Sequence, residues 1–231
     1  MYADADLLVL NKPSGLLSVP GRGEDKQDCL STRAHAQFPD ALIVHRLDMA
    51  TSGLMVMARS LAVQRHLSNA FANREVTKHY VAVVDGLPVA EGNDDGVGWN
   101  LIDLPISVDW PNRPLRRIDA INGKASVTRW RPLPKFGSGK EEDASAIQAE
   151  GNVDFDRSTP FTRVLLAPVT GRSHQLRVHL AALGHAILGD ALYASPATQQ
   201  RASRLLLHAS KLGFSHPGTG QPMDFQLPVP F

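Results

Sequence analysis

No stretch of this chain holds more than five consecutive apolar residues; the longest runs are Leu54 to Ala58 and Tyr80 to Val84. A membrane-spanning helix needs about 20, so the core must be assembled from short strands and one-sided helices. With 231 residues, 43% of them apolar, there is enough material to bury a core without staples. The opening residues, Met1 to Asp6, show no basic segment followed by an apolar one. No secretory leader is therefore expected, and a cytoplasmic location is. A single cysteine, Cys29, excludes a disulfide framework and any multi-cysteine metal site.

Strand-like patterns dominate: Leu7 to Leu10, Ala41 to Val44, Leu54 to Ala58, His79 to Val84, Ala125 to Arg131 and Thr162 to Ala167. Helices are fewer. Ser60 can cap one running to about Asn73, with Val63, Leu67, Ala70 and Phe71 on one face. Ser173 can cap a second, turning Leu176, Leu180 and Leu183 to the core, and Ser195-Pro196 can open a third. Cys29 falls in a further helical stretch between Asp28 and Gln37 and reads as a small core residue. Many strands in irregular order with few helices between them predict an α+β fold with a mixed, mostly antiparallel sheet. One domain spanning 1–231 is expected, interrupted at 134–160 by a Gly-, Ser- and acid-rich surface loop.

The formal net charge is only +1, yet the charges are segregated. Residues 85–103 carry five acids and no Lys or Arg, and residues 141–156 carry six, again without a base. Setting those eleven aside leaves 24 bases against 12 acids. Arginine outnumbers lysine 17 to 7, and its planar fork suits bidentate phosphate contact. Arg113, Arg116, Arg117, Arg129 and Arg131 read either as a patch for a polyanion or as an ordinary solvated surface.

Several chemistries are unsupported. There is no Walker-type phosphate loop, no Gly-x-Gly-x-x-Gly opening a helix and no serine elbow. His174, His179 and His185, five and six apart, do not share a helical face as zinc ligands would. No cofactor and no metal are expected.

Three segments carry more specification than packing needs. His45-Arg46-Leu47-Asp48-Met49-Ala50-Thr51-Ser52-Gly53-Leu54 puts Asp48 on a loop between two predicted strands, a common way to present a carboxylate, although a plain turn would use the same residues. Lys78 to Gly86 places Tyr80, Ala82 and Val84 on one face of a strand with Lys78 at its entrance. Gly171 to His179 continues to Gly189-Asp190 and Tyr193; Arg177 there lies beside the core stripe, where an arginine is most often a surface cation but can reach a buried acid.

In that order the segments read His-Arg-Leu-Asp-x-x-Thr-Ser-Gly-Leu (45–54), Lys-x-Tyr-x-Ala-x-Val-x-Gly (78–86) and Gly-Arg-x-His-Gln-Leu-Arg-x-His (171–179). Together with Asn11 to Leu16 and Leu207-His208-Ala209, they closely resemble the RluA-type pseudouridine synthases, nearly end to end. Asp109-Trp110-Pro111-Asn112-Arg113-Pro114 resembles the branch of that family linked to both large-subunit rRNA and tRNA anticodon stem-loops. Ala186 stands where the family commonly has proline, the acidic insertion is longer than usual, and no S4-like RNA-binding domain is expected before residue 1.

The resemblance implies an isomerase: the uracil–ribose C–N bond breaks, the base turns, and a C–C bond forms to C5. It implies Asp48 as the catalytic carboxylate, either nucleophile or base, with Arg177 as the cation that keeps it ionised. Tyr80 would stack on the extruded base and take the C5 proton. Arg46 would hold the vacated stack open and Leu176 would floor the uracil, with Thr51, Lys78, Arg113, Arg172 and His174 facing RNA. The partner is RNA, with no DNA and no membrane, and nothing demands more than a monomer. Two other readings stand beside it. A non-catalytic RNA-binding or ribosome-assembly module would not need a carboxylate facing a polyanion. A nucleoside hydrolase would generally use paired carboxylates, and only Asp48 lies in the motif-bearing loops.

Overall fold

A computed structural model describes residues 2–88, 98–133 and 155–231. Strands are numbered β1 to β12 and helices α1 to α4 along the chain. The chain divides into two compact units, Met1–Lys78 with His208–Leu227, and His79–Leu207 with Pro228–Phe231. Most of the expected 134–160 insertion lies outside the described residues.

The first unit is built on β4 (Ser52–Ala58), all seven residues of which are buried. Along one side it pairs antiparallel with β2 (Leu7–Lys12), from Leu7 opposite Ala58 to Lys12 opposite Gly53, and β1 (Tyr2–Ala3) extends β2. On its other side β4 meets β11 (Leu207–Ser215) in parallel at Ser52 and Gly53, and β3 (Leu42–Ile43) antiparallel at Met57 and Ala58. β12 (Pro222–Gln226) closes antiparallel on β11. Gly53 sits at φ +113°, and a Cβ there would strike the Ala209 backbone, so the parallel pairing requires glycine at this position.

Strand alternation explains why a seven-residue run has no exposed side. Leu54, Val56 and Ala58 join Leu7, Val9, Val63 and Leu67 in one cluster, while Met55 and Met57 join Leu8, Leu16 and Leu30 in another. Helix α2 (Leu61–Ala72) supplies Val63 and Leu67, capped as expected by Ser60, whose hydroxyl accepts the Val63 N–H at 3.2 Å. Helix α1 (Leu30–His35) supplies Leu30 on the opposite face. Cys29 is fully buried as expected, but it stands as the N-cap of α1 rather than within a helix.

In the second unit β5 (Thr77–Asp85), β10 (Phe161–Pro168), β9 (Val127–Pro132) and β6 (Asn100–Asp103) pair antiparallel in that order. A separate hairpin joins β7 (Ile106–Val108) to β8 (Arg116–Ile118). Helices α3 (Gln175–Ala182) and α4 (Pro196–Gln200) complete it, the latter capped by Ser195 with proline at its first turn. The architecture is α+β with a mixed, mostly antiparallel strand pairing, as the sequence predicts.

Two local expectations are corrected. Ser173 does not cap α3: the N-cap is His174, held in the left-handed region at φ 58° with no side-chain cap of its own. Instead the Gln175 side-chain oxygen accepts the Arg172 N–H at 3.0 Å and the Thr170 hydroxyl at 2.7 Å. Leu183 does not face the core; it follows the last turn and is 39% exposed.

Candidate active site

The first unit presents Asp48 between β3 and β4, on a loop anchored at almost every other residue. Ser18 grips Leu47 twice, its hydroxyl donating to the carbonyl at 2.7 Å and accepting the N–H at 3.1 Å. Ser14 donates to the Ala50 carbonyl at 2.7 Å, and the Gly15 N–H donates to that of Met49 at 2.9 Å. The Thr51 N–H closes a turn on the Asp48 carbonyl at 3.1 Å. His45 Nε2 accepts the Val56 N–H at 3.1 Å, and its ring stacks on Phe71 at 4.5 Å.

Lys12 completes the anchoring. Its side chain is fully buried, and Nζ donates to the carbonyls of Pro13 (2.9 Å), Leu16 (2.6 Å) and Met49 (3.0 Å). Burial pulls its pKa down to about 8, while the charge of Asp48 pushes the other way. A lysine in Asn11-Lys12-Pro13 reads in sequence as a motif extension; its buried position depends on a contact across 37 residues that no local pattern announces.

Against this fixed backbone Arg46 is exposed, Asp48 is half-buried, and Met49 is 52% exposed. Thr51, expected at the RNA, is buried at 3% and therefore holds the loop rather than offering a side chain outward. Lys78 lies over the Phe71 ring at 5.7 Å, its pKa lowered by burial. Burial first and the Lys78 charge second hold His45 neutral, with its pKa lowered to about 3.

In the second unit Tyr80 is half-buried on β5, opposite Leu166 of β10. The strand is buried on both faces from Val81 to Val84, so burial does not alternate there. Arg177 is not a surface cation: it is 4% exposed and forms a bidentate pair with Asp190, Nε to Oδ2 at 2.8 Å and Nη2 to Oδ1 at 2.6 Å. Leu176 beside it is 7% exposed. His174 meets the Tyr193 hydroxyl at 2.7 Å, and Arg172 is exposed, its Nε donating to the Ala125 carbonyl at 3.3 Å. Arg113, in the β7–β8 hairpin, lies 3.9 Å over the ring of Trp110, which is 63% exposed.

Each unit therefore gathers its own subset: Arg46, Asp48 and Thr51 on one loop, and Arg172, His174, Leu176 and Arg177 at the start of α3. Beyond Lys12, Asp190 and Tyr193 carry no role that the sequence announces, although both continue the third segment.

The fold is that of pseudouridine synthases. A solved human structure, RNA Pseudouridylate Synthase Domain Containing 1, superposes over 100% of this chain and 82% of its own with a TM-score of 0.73 at 28% identity. A second, Domain Containing 4, gives 0.68 over 99% of this chain and 87% of its own at 23% identity. The family model described as RNA pseudouridylate synthase matches residues 6–182. Full-length relatives agree: the dual-specificity RNA pseudouridine synthases RluA of Yersinia pestis (44% identity, 100% of this chain and 98% of the relative) and of Escherichia coli K12 (46%, 100% and 93%). That of Haemophilus influenzae is 43% identical over 97% of this chain and 90% of its own length. The chain belongs to the RNA pseudouridylate synthase family. It is an isomerase that converts uridine in RNA to pseudouridine.

Proposed function

We propose that Asp48 is the carboxylate that attacks or deprotonates the ribose, and that the substrate is a uridine in a stem-loop of large-subunit rRNA, of tRNA, or of both. The observation that carries the first claim is the anchoring of its loop. Neighbouring backbone groups are tied down by Lys12, Ser14, Gly15 and Ser18, while Asp48 itself is only half-buried. A carboxylate so fixed needs little reorganisation at the moment of reaction. The second claim is supported by relatives named dual-specificity enzymes at 44–46% identity across the whole chain.

The uridine leaves its stack at a cost of roughly a few kcal/mol, least in a loop. Arg46, exposed two residues before Asp48, fills the vacated stack. Tyr80 stacks on the uracil, and Leu176 gives it an apolar floor. Arg177 is the cation that favours the ionised carboxylate. With Asp48 engaged, the C1′–N1 bond breaks, the uracil turns, and C5 bonds to C1′. Tyr80 then takes the C5 proton while N1 gains one, so nothing is oxidised or reduced and no coenzyme is required. Lys78, Arg113, Arg172 and His174 serve the RNA side, Arg113 together with the exposed ring of Trp110. Thr51 keeps the turn on which Asp48 sits.

The test is tritium release from stem-loop RNA labelled at C5 of uridine, with pseudouridine mapped in the product. Asp48→Asn should bind RNA but release no tritium. Turnover by that variant would remove Asp48 from its role, and free uracil among the products would convert the reading to hydrolysis.

A further inference from the structure

The Arg177–Asp190 pair is buried on both sides, with side chains 5% and 1% exposed. A buried ion pair is a poor stabiliser compared with well-packed apolar residues. This one is nevertheless built with care. Gly189, immediately before Asp190, sits at φ +74° where a Cβ would run into the Arg204 carbonyl, so the backbone entering Asp190 is fixed. Besides the two guanidinium bonds, Asp190 Oδ1 accepts the N–H groups of Leu192 (2.9 Å) and Tyr193 (3.2 Å). The carboxylate thus folds the turn that delivers Tyr193 back to the same arginine, its ring 5.1 Å from the guanidinium carbon. Arg177 is held along one edge by a carboxylate and across one face by a phenol ring.

The hydroxyl of that phenol reaches the other way. Tyr193 Oη accepts the Arg116 N–H of β8 at 2.9 Å and meets His174 Nδ1 at 2.7 Å. His174 is one of two non-glycine residues with positive φ among those described, and it opens the helix that carries Arg177. The hairpin bearing Trp110 and Arg113, the strained start of α3, and the guanidinium of Arg177 therefore meet at a single side chain.

We propose that Asp190 and Tyr193 are positioning residues with separable tasks. Asp190 sets the plane of the Arg177 guanidinium for catalysis, and Tyr193, through its hydroxyl, latches the β7–β8 hairpin so that it grips RNA. The proposal rests on the reading of Arg177 as the catalytic cation and of the hairpin as an RNA contact. Neither residue needs to touch substrate. Asp190 acts through the donor geometry of Arg177, as an outer partner fixes a metal ligand, where loss typically costs about 10–100-fold.

The experiment uses the full chain and a stem-loop transcript tritiated at C5 of uridine. It measures RNA affinity by filter binding and the single-turnover rate constant at saturating enzyme, which does not depend on the fraction folded. Asp190→Asn should lower that rate constant about tenfold or more while affinity stays within about threefold. Tyr193→Phe keeps the ring and removes only the hydroxyl. It should weaken RNA binding about 5–10-fold, the equivalent of one hydrogen bond, and leave the rate constant within about threefold. The opposite pattern, or an unchanged Tyr193→Phe affinity, overturns the latch. An Asp190→Asn rate equal to the parent overturns the positioning role. Arg177→Met separates the two levels: if it reacts at the parent rate, the reading of Arg177 itself falls, whereas a slow Arg177→Met beside a normal Asp190→Asn removes only the inference drawn here.

Discussion

Replacing Lys12 by methionine sets two effects of similar size against each other. The substitution keeps side-chain length and removes three donors from the carbonyls of Pro13, Leu16 and Met49. Met49 retains the Gly15 N–H, so the cost falls on the carbonyls of Pro13 and Leu16, at about 1–3 kcal/mol each. On the other side, burial pulls the lysine from 10.5 to about 8. That difference corresponds to about 3 kcal/mol against the charged form at neutral pH, a penalty the variant escapes. The two nearly cancel, and K12M should fall within about 2 kcal/mol of the parent in urea denaturation. Activity has no such compensation. Met49 is next to Asp48, and a carboxylate displaced by about 1 Å loses about 100-fold in rate. Tritium release should therefore drop about 100-fold in a protein of near-parental stability. The pH dependence supplies a second check. Because the folded value lies below the unfolded one, the penalty is complete below about pH 8 and is relieved as pH climbs toward 10.5. Across that window Lys12 makes parental stability rise with pH relative to K12M. Parental turnover should fall over the same range, since a neutral amine has only two N–H groups for three carbonyls. Turnover of K12M within about threefold of the parent, or a loss of stability above about 4 kcal/mol, would refute the reasoning.

Other expectations follow from single side chains. Asp48→Asn should lower product formation by at least about 1000-fold while RNA affinity stays within a few-fold, checked by tritium release beside filter binding. Tyr80→Phe should still stack the base but stall before loss of the C5 proton, so that quenched reactions accumulate a rearranged base retaining tritium. Normal release would assign that proton to another group. His45, held neutral down to about pH 3, binds its proton only in the unfolded chain as pH falls from 6.5. Its contribution to stability is therefore present above 6.5 and is lost on acidification, by up to about 2–3 kcal/mol over the first two pH units. His45→Gln should flatten that part of the stability curve in denaturant titrations. Trp110→Ala should leave the melting temperature unchanged, the residue being 63% exposed, and weaken RNA binding by about 1–3 kcal/mol. Arg113→Gln should reduce the salt slope of binding by about 1.

The sequence made one kind of information legible. Strands with two buried faces announce themselves as unbroken apolar runs, and β4 and β5 are legible in this way because their side chains pack in both directions. The loop between β3 and β4 was legible for the same reason, being bracketed by such runs. β6 and β8 were not: Asn100–Asp103 and Arg116–Ile118 are only partly buried, so neither composition nor alternation separates them from a loop. The start of α3 misleads for a different reason. Ser173 has the chemistry of a cap, but the Gln175 side chain occupies that function from inside the helix, and the backbone reaches it only by taking His174 into the left-handed region. Nothing in the neighbouring residues announces this, because the contact that His174 makes comes from Tyr193, 19 residues later.

The two buried cations show why residue type, and not charge alone, is specified around the site. Lys12 faces three converging carbonyl oxygens, all accepting from one nitrogen that carries three donors on a narrow stem. Arg177 faces a single carboxylate whose two oxygens match the parallel Nε and Nη2 donors of a planar fork. Exchanging the two residue types would fail at both positions. A guanidinium at position 12 would be too wide for a fully buried slot and would spread its donors away from a common focus. An ammonium at position 177 would satisfy one Asp190 oxygen at a time and lose the plane that the Tyr193 ring covers. Apolar side chains could fill either volume at less electrostatic cost, so stability alone does not account for a buried charge at either place. What both charges supply is orientation, of a backbone loop beside Asp48 in one unit and of a donor plane in the other.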